Sequence, residues 1–112
     1  MDAGELRNSH TGETTGERRA RAISRARAAV EALEARGVRV LVIGSLAKEA
    51  FNVYSDVDLL VTRCPDPLRY AIEGVVEDHL GSIPFDVVYL DETPQPFAAR
   101  MTEGALDVRD LR

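Results

Sequence analysis

The chain has one cysteine, two histidines and no long apolar run. Each scarcity excludes something. Cys64 alone cannot form an internal disulfide, and a zinc site needs more ligands than the chain offers. Cys64 therefore reads as a half-buried thiol following a strand. His10 and His79 are far apart in sequence and make no metal-binding spacing. No stretch approaches the roughly 20 apolar residues of a membrane span. The N-terminus, Met1-Asp2-Ala3-Gly4-Glu5-Leu6-Arg7, is too polar and charged for a signal peptide. The expected setting is the cytoplasm of a prokaryote-like cell, with no membrane partner. An excess of positive charge is lacking too. The formal net charge of −5 argues against direct nucleic-acid binding. Arg18, Arg19, Arg21, Arg25 and Arg27 nevertheless cluster in one segment, which reads as a solvated helix face or a docking surface for an acidic partner.

What is present is enough for one domain. The 112 residues are 45% apolar, close to the soluble globular average. Residues 1–13 are polar and read as a disordered tail, leaving 14–112 as the domain. Thr14 and Glu17 have the spacing of a capping box. A helix is expected from there to about Arg36, with Ile23, Ala26, Val30 and Leu33 on one stripe and Gly37 as its stop. Val38 to Ile43 reads as a buried strand broken by Gly44-Ser45. One or two helical turns fit Leu46 to Phe51, and a turn fits Asn52 to Ser55. Asp56 to Val61 reads as a second strand. Asp66-Pro67 offers an N-cap and a first helical residue, predicting a helix that Gly81 closes. Phe85 to Leu90 reads as a third strand, Phe97 to Glu103 as a short helix, and Leu106 to Val108 as a possible last strand. This alternation predicts an α/β (α+β) fold: a small mixed sheet of three or four strands flanked by helices. The short link between the first two strands favours an antiparallel pair.

Two acids sit where a sheet should tolerate them poorly. Asp56 and Asp58 are two apart on a predicted strand, so both point to one face, about 6–7 Å apart along the backbone. Val57, Leu59, Leu60 and Val61 mark that strand as central. Like charges so placed repel, and burial worsens the conflict. A bound cation removes it, and an all-oxygen ligand set selects a hard ion such as Mg²⁺. Asp86 repeats the anomaly within Pro84-Phe85-Asp86-Val87-Val88-Tyr89-Leu90. If its strand lies beside the second, it completes a carboxylate triad. Gly44 allows close backbone approach to a ligand, and Ser45 with the following N–H groups suits a phosphate.

The run from Gly44-Ser45 through Ser55-Asp56-Val57-Asp58-Leu59-Leu60-Val61 resembles the signature of the polymerase-beta nucleotidyltransferase superfamily. It is most similar to the minimal nucleotidyltransferases, or MNT proteins. Asp86 in Phe-Asp-Val-Val-Tyr-Leu matches the third family carboxylate, and Glu103-Gly104 resembles a recurrent ending. The resemblance spans about Val38 to Val108. It implies two Mg²⁺ ions held by Asp56, Asp58 and Asp86, with Asp86 helping to take the nucleophile's proton. It also implies ATP as the nucleotide donor, contacted by Gly44, Ser45, Lys48 and Ser55. The implied partner is a HEPN-domain toxin, an RNase, silenced by AMP transfer to one of its tyrosines. A homo-oligomer is also plausible for so small an open sheet. The chain departs from the family at one turn: Ala47-Lys48-Glu49 stands where Ala-Arg-Gly is usual. Lys48 lacks arginine's planar fork, and Glu49 adds a negative charge near the expected phosphates. That departure keeps a second reading open, an antitoxin that neutralises by contact alone. A subunit of a nucleotidyltransferase acting on a small molecule such as an aminoglycoside is a third.

Overall fold

The computed structural model describes residues 12–112. The polar tail expected at 1–13 lies, as far as residue 11, outside the described residues. Glu13, at its end, is held: its carboxylate takes two hydrogen bonds from the Arg21 guanidinium, at 2.5 and 2.7 Å.

Helix α1 spans Thr15–Glu34. The capping box is present as the sequence predicts. The Thr14 hydroxyl accepts from the Glu17 N–H at 3.0 Å, and the Glu17 carboxylate accepts from the Thr14 N–H at 2.9 Å. Ala22, Ala26, Ala29, Val30 and Leu33 are fully buried, and Ile23 is half-buried, so the stripe faces the sheet. The first strand, β1, runs Arg39–Ile43 and is followed at once by the single-turn helix α2, Gly44–Ala47. The second strand, β2, runs Val57–Arg63; helix α3 runs Glu73–Leu80; the third strand, β3, runs Phe85–Tyr89; helix α4 runs Phe97–Glu103.

The sheet order is β1-β2-β3, with β2 in the centre. β1 and β2 are antiparallel, and β2 and β3 are parallel, so the mixed sheet and the central position of the Asp58 strand are as expected. The register sorts the side chains by face. Val40, Val42, Val57, Leu59 and Val61 are buried within the core, joined by Phe85, Val87 and Tyr89. Strand alternation places Leu41, Ile43, Asp58, Leu60, Asp86 and Val88 on the other face. That face is more open: Leu41, Ile43, Asp58 and Val88 are half-buried and Asp86 is exposed. Helices α1 and α3 pack on each other, and the core between them and the sheet contains Leu33, Val76, Leu80 and Ile83. Truncating a fully buried residue such as Leu59 costs about 2–5 kcal/mol, a large share of the stability of a domain this small.

The short helix expected from Leu46 to Phe51 instead starts at Gly44 and ends at Ala47, before the left-handed Glu49; two further predicted elements differ. The helix expected to start at Asp66 does not run through. Asp66–Leu68 form one 3-10 turn, Arg69 turns extended (φ −59°, ψ 130°), and Tyr70 takes φ 66° before α3 begins. Tertiary contacts override the local cap signal there. The Tyr70 N–H donates to the Tyr89 hydroxyl at 2.9 Å, and Arg69 pairs with both Asp91 and Glu92 while lying 5.2 Å from the Tyr89 ring centre. A continuous helix would withdraw the Tyr70 N–H from this cluster. The last strand, expected near Leu106 to Val108, reduces to a single bridge between Leu106 and Val42, and Val108–Asp110 form a 3-10 turn. The Asp107 side chain accepts from the Arg109 N–H at 2.8 Å, and that local bond competes with extension of a ladder.

Candidate active site

The ladder brings the predicted residues together. Asp58 sits in β2 between two neighbours, Ile43 at the end of β1 and Asp86 in β3. Asp56 lies just before the first ladder residue of β2 rather than within it. It is two residues from Asp58 and exposed, while Asp58 is half-buried. Burial, then the charges of Asp86 and Asp56, push the Asp58 carboxyl above the ordinary carboxylate range. The three acids therefore feel one another. Among the described residues, none of the three carboxylates has a hydrogen bond or ion pair to the protein.

Gly44 is the other half of this geometry. Its φ is 74°, a conformation that favours glycine, and it opens α2 directly after β1. A Cβ at this position would lie 3.2 and 3.3 Å from Asp58 Cγ and Cβ, and would overlap Oδ2. Glycine is thus required both by the backbone and by the space the Asp58 carboxylate occupies. Ser45 follows in the same turn and is half-buried.

The donor set fits a divalent cation. Three carboxylates with no protein cation paired to them offer only oxygen, the ligand type that hard ions prefer. The acids are not already gathered into a cage: among the described residues, no group of three or more His, Cys, Asp or Glu is close enough to hold a metal ion. Rotation of the exposed Asp56 and Asp86 side chains is needed to close around one.

The remaining predicted positions are less central. Lys48 is exposed, at the end of α2. Ser55 builds the turn: its hydroxyl accepts from the Asn52 N–H at 3.0 Å, and its own N–H donates to the Asn52 carbonyl at 3.0 Å. Glu49 has φ 59°, the left-handed conformation. A glycine there would be unstrained, which gives the Ala47-Lys48-Glu49 departure a backbone cost as well as a charge.

Two residues of importance carried no signal of that role in the sequence. Arg18 and Arg19 do not face solvent with the rest of the arginine cluster. Arg18 is buried, donates from Nε to the Asn52 carbonyl at 3.3 Å and lies 5.6 Å from the Phe51 ring centre. Arg19 donates from Nη1 to the Leu46 carbonyl at 3.0 Å and from Nε to the Arg112 carbonyl at 2.7 Å. Arg27, paired with Glu31 at 3.3 Å, does fit the solvated-face reading.

Residues 23–106 match a family described as nucleotidyltransferase domain. The match runs from within α1 to the bridge at Leu106, and includes every predicted site residue. A solved structure described as a minimal nucleotidyltransferase is similar to this chain with a TM-score of 0.62 at 26% identity, covering 75% of this chain and 90% of that one. Comparison with curated proteins gives no match.

Proposed function

This chain belongs to the nucleotidyltransferase domain family, and we propose that it transfers AMP from ATP to a hydroxyl, a tyrosine of a partner HEPN toxin, acting as the antitoxin. The observation that carries the reading is the placement of Asp58 between Gly44 and Asp86, with Asp56 two residues away.

In this reading Ser45 and the free N–H groups of the α2 turn hold the terminal phosphates of ATP, with Lys48 at the edge. Asp56, Asp58 and Asp86 would hold two Mg²⁺ ions, which supply charge neutralisation on the triphosphate and on the attacking oxygen. Asp86 faces the acceptor and takes its proton. The acceptor oxygen forms a bond to the α-phosphorus, the bond from that phosphorus to the β-phosphate bridging oxygen breaks, and pyrophosphate leaves. Most of the rate enhancement comes from position and charge rather than from covalent chemistry.

A second reading is favoured by one specific observation. Glu49 places a carboxylate in the turn after α2, in a strained backbone conformation. That charge opposes a triphosphate, so neutralisation by contact alone is the competing function. The two separate in one experiment. The protein is incubated with Mg²⁺, ATP labelled at the α-phosphate and a HEPN-domain protein as acceptor. Label on that protein, lost with Asp56→Ala and with Asp58→Ala, supports the enzyme. Full neutralisation by both variants, with no label transferred, sinks it in favour of contact.

A further inference from the structure

We propose that Arg19, assisted by Arg18, is a positioning residue for the triphosphate, holding the phosphate-side turn of the site from behind; this rests on the nucleotidyltransferase reading above. The loop that joins α2 to β2 has few internal ties of its own. The Ala50 N–H reaches the Ser45 carbonyl at 2.8 Å, and the next ties are the Asn52–Ser55 bonds at the far end. The strained Glu49 lies inside the first of these, between Ser45 and Ala50. Two arginines of α1 brace this loop at both ends. Arg19 binds the Leu46 carbonyl, inside the α2 turn that carries Gly44 and Ser45. Arg18 binds the Asn52 carbonyl, which also accepts the Ser55 N–H one residue before Asp56.

The chemistry of the brace is unusual for a helix surface. Among the described residues neither guanidinium pairs with an Asp or Glu side chain; both donate to main-chain oxygens. Among the described residues, Arg19 Nη2 is buried without a hydrogen-bond partner. An orphan donor of that kind is unfavourable, so the side chain is held there by its other two bonds. Those bonds tie the Leu46 carbonyl to the main-chain oxygen of Arg112, and so join the α2 turn to the segment after Val108–Asp110. A charged donor on the Leu46 carbonyl fixes the tilt of the single helical turn, and with it the direction of the N–H groups available to phosphate.

The test is MgATP binding by calorimetry, with amide hydrogen exchange as a second readout. Arg19→Ala is expected to weaken MgATP binding by about tenfold, the effect of one charge-assisted bond lost from a positioned site. Arg19→Lys, which can still reach one carbonyl, is expected to recover part of it. Arg21→Ala is the control, because Arg21 sits on the same helix and pairs with Glu13 rather than with the loop. It is expected to lower thermal stability without changing MgATP affinity. Exchange of the amides from Leu46 to Asn52 is expected to quicken in Arg19→Ala and not in Arg21→Ala. Wild-type affinity in a folded Arg19→Ala, or an equal loss in Arg21→Ala, overturns the proposal. Absence of MgATP binding by the wild type overturns the nucleotidyltransferase reading instead. The exchange comparison then still decides whether Arg19 holds the loop.

Discussion

Replacing Gly44 by alanine separates the site from the fold. The residue has φ 74°, so a Cβ there costs about 1–2 kcal/mol in backbone strain alone. For a domain of this size that is a fall in melting temperature of about 4–16 °C. The second effect is local. The new methyl would come within 3.2 Å of Asp58 Cγ and would overlap its Oδ2. The carboxylate has to retreat by roughly 1 Å, a misplacement that costs on the order of 100-fold in rate when it disturbs a reacting constellation. Gly37→Ala is the matched control. Its φ is 84°, so the strain is of the same kind, but its Cβ would meet only Pro65 Cγ at an ordinary 3.5 Å. Thermal melts and nucleotidyl transfer are measured on both. Both variants are expected to melt early, and only Gly44→Ala to lose transfer. Equal transfer rates in the two variants would refute the claim that Gly44 makes room for Asp58.

Three further outcomes are expected. Because Asp58 is held above its ordinary value by burial and by Asp86 and Asp56, the folded chain keeps a proton that the unfolded chain has released. Its contribution to stability therefore falls as pH rises from about 4 upward. Asp58→Asn removes that loss, so its melting temperature should gain on the wild type as pH climbs through this window; a pH-independent difference contradicts it. Mg²⁺ at about 100 times its dissociation constant should stabilise the wild type by about 2.7 kcal/mol. The same Mg²⁺ should leave Asp58→Ala unmoved, and equal shifts in both would place the ion elsewhere. Glu49→Gly relieves a φ of 59° and should raise stability by about 1 kcal/mol. It should also tighten MgATP binding by removing a negative charge. A lower melting temperature for that variant would show that the left-handed conformation is not strained.

That Asp56, Asp58 and Asp86 fall close together was legible in the sequence because their cost is chemical. Asp58 and Asp86 interrupt apolar strands, where neighbouring carboxylates repel each other. Helix α1 was legible because its stripe from Ile23 to Leu33 repeats at helical spacing for about three turns and Thr14 with Glu17 marks the start. The break at Arg69 and Tyr70 was not, because Asp66-Pro67 is a sound local start signal and the competing contacts come from Tyr89, Asp91 and Glu92, about twenty residues away. The arginine cluster was legible only as charge. Composition is the same whether a guanidinium points to water or to the Leu46 carbonyl, so the inward turn of Arg18 and Arg19 had no signature. The left-handed Glu49 likewise shows itself only through the family's glycine at that place and the backbone angle.

Nucleotidyl transfer is tested most directly by where each phosphate of ATP goes. With a HEPN-domain protein as the proposed acceptor and Mg²⁺ present, label at the α-phosphate is expected on a tyrosine of that protein. Label at the γ-phosphate is expected in pyrophosphate, and Asp58→Ala should abolish both. Label from the γ-phosphate on the acceptor, or transfer that persists in Asp58→Ala, would contradict a nucleotidyltransferase built on Asp56, Asp58 and Asp86.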